Sequence, residues 1–299
     1  MDTRTKYVLP PVVAEDSPAK KDPSYSSITT ACEWVRTGDY TDIILERSAG
    51  VDSGIAKITI NRPEKRNAFR PQTVQELIHA FDVVRDDPSV GVVILTGQGD
   101  WAFCSGGDQN IKTIGGYKDE HGVPRLNVLD LQKRIRSLPK PVIAMVNGWA
   151  IGGGHVLHVV CDLSIASENA RFGQPEVNLG LIPGYGGTQR LTQLVGKGRA
   201  LELMMSGNMI HAADAHRIGL VNHIYPVDTL IEEAKKLLAT ILTKGPNAVG
   251  HVIAAVLAAG TPNEDGFAEE VRLFGECFNT EEVKEGVGAF LEKRAPRFS

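Results

Sequence analysis

The sequence predicts an α/β protein with a β-rich core and a smaller helical C-terminal part. Strand-like apolar runs alternate with helix-spaced segments over residues 43–166. From Gly198 onward the apolar repeats are mostly helical. Two glycine clusters stand out, Gly152-Gly153-Gly154 late in the first region and Pro183-Gly184-Tyr185-Gly186-Gly187 between the two. Adjacent glycines suit places where bare backbone approaches a ligand.

Residues 1–27 are rich in Pro, Ser, Lys and Asp and read as a flexible tail. The segment from Ile28 to Asp42 is left open, with Trp34 and Val35 available to pack on the body. Ile43-Ile44-Leu45 and Ile55 to Ile60 are strand-like, joined by a turn at Ser53-Gly54, and Asn61-Arg62-Pro63 ends the second. Gln72 to Arg85 repeats Val74, Leu77, Ile78, Phe81 and Val84 at helical spacing. A buried strand over Gly91 to Thr96 leads into the loop Ser105-Gly106-Gly107-Asp108. A helix near Leu126 to Ser137 precedes a second buried strand, Pro141 to Val146. After the glycine triplet, Val156 to Val160 continues as helix, and Leu163 to Ala166 is a short strand. Further helices are expected over 199–206, 212–218, 228–242, 247–259 and 268–274. The domain reading is a tail over 1–27, an α/β core over 28–218 and a helical region over 219–299, without internal repeats.

A chain of 299 residues is long enough to bury a full core. With 42% hydrophobic and 23% charged residues, the composition is that of an ordinary globular protein. A net charge of −4 without a lysine/arginine block argues against nucleic acid as the partner. No apolar run approaches the roughly 20 residues that span a bilayer, so no membrane role is expected. The charged, proline-bearing N-terminus does not fit a signal peptide. Cys32, Cys104, Cys161 and Cys277 are widely spaced and read as reduced thiols of a cytoplasmic protein. His155 and His158 lie one turn apart, but with no third ligand in view no metal is expected.

The chemistry gathers around the glycines. Amides of Gly152 to Gly154 at a helix N-terminus favour negative charge. Glu176 follows between Pro175 and the second glycine cluster. Amide donors beside one placed carboxylate point to enolate chemistry on a carbonyl compound, with Glu176 as acid/base. An apolar acyl pocket would raise that carboxylate's proton affinity. Asp108, following Gly-Gly, suits a helix cap as readily as a catalytic role.

Four spaced motifs occur in order: Asn61-Arg62-Pro63, Ala102-Phe103-Cys104-Ser105-Gly106-Gly107-Asp108, the Gly152 to Gly154 triplet, and Phe172-Gly173-Gln174-Pro175-Glu176. On these, residues 42–298 resemble the crotonase superfamily, the enoyl-CoA hydratase/isomerase fold. The resemblance implies a crotonase-like fold of repeated ββα units with a C-terminal helical trimerisation region. It further implies an acyl-CoA thioester as substrate, no permanently bound cofactor, and a homo-hexamer built as a dimer of trimers. Its oxyanion hole, made of two backbone N–H groups, maps to Ser105 and Gly153. Candidate substrate and CoA contacts are Arg66, for a CoA phosphate or the adenine side, with Ala68, Gly106, Gly107, Asp108, Gln109, Tyr117, Gly184 and Lys293. Tyr117 stands in a glycine-bearing segment, Gly115 to Pro124, that would serve as a lid.

Subfamily features divide. Arg66-Asn67-Ala68-Phe69-Arg70-Pro71, Ser105 to Gln109, Gly115-Gly116-Tyr117, Leu126 to Asp130 and Gly154-His155-Val156-Leu157-His158 resemble the 1,4-dihydroxy-2-naphthoyl-CoA synthases of menaquinone biosynthesis. Phe172 to Arg190 resembles ordinary enoyl-CoA hydratases. The synthase serine and aspartate positions hold Leu181 and Pro183, and its C-terminal tyrosine position holds Phe278. Of the two hydratase glutamates, the first position holds Val156 and the second Glu176. The expected function is a hydratase/isomerase-type acyl-CoA enzyme. The alternatives are a ring-closing Claisen-type condensation and a non-catalytic CoA-binding protein.

Overall fold

The central strands are predominantly apolar because both of their faces are covered. A computed structural model describes residues 33–50, 53–108, 127–261 and 264–298, all within the unit spanning 32–299. The 1–27 tail, Cys32, Gln109, Tyr117 and the proposed lid lie outside the described residues.

A large sheet is built from β1 (Glu33–Thr37), β2 (Ile43–Ala49), β3 (Ile55–Ile60) and β4 (Val92–Gly97). It continues through β6 (Val142–Val146), β8 (Leu163–Ser167) and β11 (His223–Tyr225). Its order is β1-β2-β3-β4-β6-β8-β11. The first three strands pair antiparallel and the rest parallel. In β4, Val93 and Leu95 face the main core while Val92 and Ile94 face a second cluster, the period-two alternation of a strand. Helix α1 (Pro71–Asp86) closes the first face with Val74, Leu77, Ala80, Phe81 and Val84. Leu230, Ala234 and Leu238 of a C-terminal helix close the second. The Trp34 and Val35 segment forms the edge strand, with Lys57 Nζ 4.1 Å from the Trp34 ring centroid. Val35 stays exposed.

A second sheet was not foreseen. It holds β5 (Ala102–Cys104), β7 (Trp149–Ile151), β9 (Arg171–Gly173) and β10 (Met209–His211), in the order β10-β9-β7-β5. Its members β5, β7 and β9 run parallel, each entered from the large-sheet strand before it. These strands are three residues long, too short to show a period. Helices α2 (Val128–Arg136), α3 (Gly153–Val160), α4 (Gly187–Val195), α5 (Lys197–Ser206) and α6 (Ala212–Arg217) follow these crossings. The C-terminal helices are α7 (Leu230–Leu242), α8 (Pro246–Ala258), α9 (Gly266–Cys277) and α10 (Glu281–Glu292). Helices α4 and α10 were not anticipated from the sequence. Strand β11 brings residues beyond 218 into the large sheet. Among the described residues no single helix is long and apolar enough to cross a membrane.

Candidate active site

The catalytic candidates sit just beyond the carboxyl ends of β5, β7 and β9, where parallel α/β sheets place ligands. After β5 the chain forms the Ser105 to Asp108 loop. It is stitched to the Arg66 to Phe69 segment by Phe69 N–H donating to Gly106 O (2.9 Å) and Asp108 N–H to Phe69 O (3.0 Å). The Ser105 N–H donates to Arg66 O at 3.1 Å.

After β7, Gly152 takes φ 55° and ψ −125°, a conformation outside the reach of most side chains. A Cβ there would lie 3.2 Å from Glu176 Oε1. Gly154 is equally confined, since a Cβ would overlap the Cys104 carbonyl. Helix α3 starts at Gly153, and its first intrahelical bond runs from Val156 N–H to Gly152 O (3.0 Å). The Gly153 N–H therefore belongs to the first turn, which has no intrahelical acceptor.

After β9 come Gln174 and a 3₁₀ turn, Pro175–Leu179, that carries Glu176. A cavity of about 390 Å³ joins the three loops. Its polar side comprises Ser105, Gly107, Gly152, Gly153 and Gly184. Leu179, Leu181 and Ile182 make an apolar wall beside Glu176 and Tyr185. Among the described residues, Glu176 is the only carboxylate lining it. Tyr185 holds a left-handed φ of 54°, and burial pushes its phenol above the ordinary value. A larger cavity of about 520 Å³ lies elsewhere, against Gly91 and Pro141 at the amino ends of β4 and β6. It holds neither glycine loop, so the smaller cavity is the functional candidate.

Behind the cavity, the fully buried Gln174 amide is 2.9 Å from His155 Nδ1 and 3.1 and 3.2 Å from the two Glu176 carboxylate oxygens. Burial lowers the His155 pKa to about 3. His158 is pushed well below the usual histidine range by burial and then by His155. Both rings are therefore neutral at ordinary pH. Among the described residues no group of three or more His, Cys, Asp or Glu converges as metal ligands. Sequence reasoning gave Gln174 and Tyr185 no role. Their flanking Pro and Gly residues were the available signal.

The other candidates are scattered. Arg66, also left-handed, places its guanidinium 5.1 Å from the Trp149 ring centroid. Ala68 is buried and its carbonyl accepts from Arg62. The Asp108 carboxylate accepts from Arg62 Nη2 at 3.0 Å and is 6% exposed, the pattern of a structural anchor. Gly106 packs against the Gly153 amide. Lys293 ends α10 in a left-handed conformation and does not line the cavity. Val156 is fully buried and does not line the cavity, and a Cβ on Gly187 would come within 2.9 Å of its Cγ2.

Residues 50–299 match the family model described as Enoyl-CoA hydratase/isomerase. Among solved structures, the enoyl-CoA hydratase from Bacillus anthracis is 34% identical with a TM-score of 0.79, over 86% of this chain and 99% of that one. The enoyl-CoA hydratase from Mycobacterium tuberculosis H37Rv is 33% identical with a TM-score of 0.75, over 86% and 98%.

Proposed function

Because the chain belongs to the enoyl-CoA hydratase/isomerase family over residues 50–299, we propose that it processes an acyl-CoA thioester through an enolate, with Glu176 as the acid/base. The single observation that carries this reading is one carboxylate, Glu176, in the same cavity as the first-turn amide of α3. The Gly153 N–H and the α3 terminus favour the negative charge that develops on the thioester oxygen. Ser105 is the second donor, and its N–H must turn from, or be shared with, Arg66 O to serve. Leu179, Leu181 and Ile182 give the cavity an apolar wall against which an acyl chain would pack. With one carboxylate, moving a double bond between carbons is simpler than hydration, which is best served by an acid and a base together. Arg66 is the proposed contact for CoA phosphate. The enzyme is assigned to the cytoplasm and needs no permanently bound cofactor.

Ring-closing condensation is the second reading. It is favoured by Val156 at the hydratase glutamate position and by the motifs of the first half. Against it, Leu181 puts an alkyl side chain on the cavity wall where that chemistry has a serine. The test is incubation with crotonyl-CoA, a 3-enoyl-CoA and o-succinylbenzoyl-CoA, with products separated chromatographically and identified by mass. Conversion of the 3-enoyl-CoA to its 2-enoyl isomer is the expected result. A ring-closed product would establish the second reading. Binding without turnover of any thioester would leave a non-catalytic CoA-binding protein.

A further inference from the structure

Glu176 stands on a short turn, and a carboxylate there needs something rigid to hold its direction. We propose that His155 and Gln174 position it: His155 Nδ1–H donates to Gln174 Oε1, and Gln174 Nε2–H donates to the Glu176 carboxylate. This rests on the reading of Glu176 as the acid/base.

The amide of Gln174 faces both neighbours at once, at 2.9 Å from His155 Nδ1 and at 3.1 and 3.2 Å from the carboxylate oxygens. If its oxygen faced Glu176, three acceptor oxygens would crowd together. With the NH₂ turned to the carboxylate, every contact pairs a donor with an acceptor. That choice fixes the histidine tautomer, because Gln174 Oε1 then requires a hydrogen on Nδ1. His155 Nε2 is left as a lone pair, and it is the ring nitrogen without a partner. Both His155 and Gln174 are fully buried, so no water competes for the bond between them, whereas the half-buried Glu176 meets the Gln174 amide at the cavity edge. A neutral ring suits the arrangement, since burial keeps His155 unprotonated at working pH. The other titratable groups nearby are His158, whose ring centroid is 5.5 Å from that of His155, and Tyr185 across the cavity.

His155 lies in the first turn of α3, two residues after Gly153. The helix that offers the amide to the thioester oxygen therefore also aims the base. His155 touches no reacting atom, so it is a positioning residue. Donation from Gln174 favours the ionised carboxylate, the form that removes a proton.

The test compares Gln174→Leu, His155→Leu and His155→Asn with the parent, all checked for folding, alongside Glu176→Gln. Asparagine can place an N–H near the position of Nδ1. Both leucine variants should lose roughly tenfold to a hundredfold in kcat with little change in KM. Their acid limb should move to higher pH by about half to one pH unit as the carboxylate loses its donor. His155→Asn should recover most of the rate. In the unaltered protein, nitrogen-15 NMR should find His155 as the Nδ1–H tautomer, a readout that stands even if the leucine variants fail to fold. An Nε2–H tautomer, or folded leucine variants with unchanged rate and pH limb, overturns the proposal while a dead Glu176→Gln keeps the acid/base reading. An active Glu176→Gln overturns both.

Discussion

At the scale of single residues, two positions hold the reaction type. Glu176→Gln keeps the shape and removes the proton carrier, so turnover should fall at least a hundredfold, the low end for general acid–base catalysis. Acyl-CoA binding, followed by isothermal calorimetry, should stay near that of the parent. Near-normal turnover would refute the assignment. Val156 was legible as a missing glutamate, but its surroundings were not. It is fully buried, and the same space around Gly187 is approached by Pro183 and the Gln174 amide. Val156→Glu should raise hydration of a short 2-enoyl-CoA while changing isomerisation much less. The new carboxylate would compete for Gln174 and cost several kcal/mol of stability if left unpaired. A folded variant with no gain in hydration would mean that the absent glutamate is not what limits water addition.

At the scale of elements, the start of α3 separates a donor from its backbone. Proline is tolerated at the first helical position, where the N–H is not used by the helix. A Cβ at Gly153 would meet Phe69 Cζ at 2.8 Å whichever residue supplies it. Gly153→Ala therefore controls for crowding, and Gly153→Pro additionally deletes the N–H. The proline variant should turn over at least a hundredfold more slowly than the alanine variant, read at matched near-UV dichroism. Equal rates would place the oxyanion donor elsewhere. The turn after α3 carries a second expectation. Asp162 accepts from Val142 N–H at 2.8 Å, yet burial, only partly offset by that bond and by Arg136, raises its pKa from 3.8 to about 6. A folded-state value above the unfolded one contributes stability below about pH 4, and that stability is lost as pH rises through 6. Asp162→Asn keeps an acceptor and carries no charge. Its stability relative to the parent should grow by about 2–3 kcal/mol between pH 4 and pH 7, measured by urea unfolding. A constant difference would show that Asp162 does not titrate as its burial implies. The sequence announced the elements that are long: the largely apolar β4, the all-apolar β6, the heptad-like spacing of α1, and the C-terminal helices α7, α8 and α9. It did not announce β5, β7 and β9, whose three residues each are too few for periodicity to register. The site's backbone was visible only through its punctuation, the glycines and Pro175. Gln174 and His155 stayed silent because burial and mutual orientation are not written in spacing.

At the scale of the whole molecule, the C-terminal helices leave a large apolar surface uncovered. Phe267 of α9 and Phe290 and Leu291 of α10 are 84%, 81% and 73% exposed, with Val252 and Val256 of α8 also open. Closed symmetric association is the usual way to cover such a surface, and a hexamer is the proposed assembly. Sedimentation velocity should give that mass at micromolar concentration. A monomer throughout would rule it out. The alternation between the two sheets has a further consequence. Ile55 pairs with Val92 and Val93 with Val142, so each parallel pairing must close a long stretch of chain before it is rewarded. Long-range parallel pairing is slow and leaves edges open while it waits. Gly153 and Glu176 follow successive crossings, so no active centre exists in a chain that has yet to place β9. A substitution that disturbs β5, β7 or β9 would thus register first in the yield of correctly folded protein, through aggregation during synthesis, and only afterwards in the properties of the molecules that escape it.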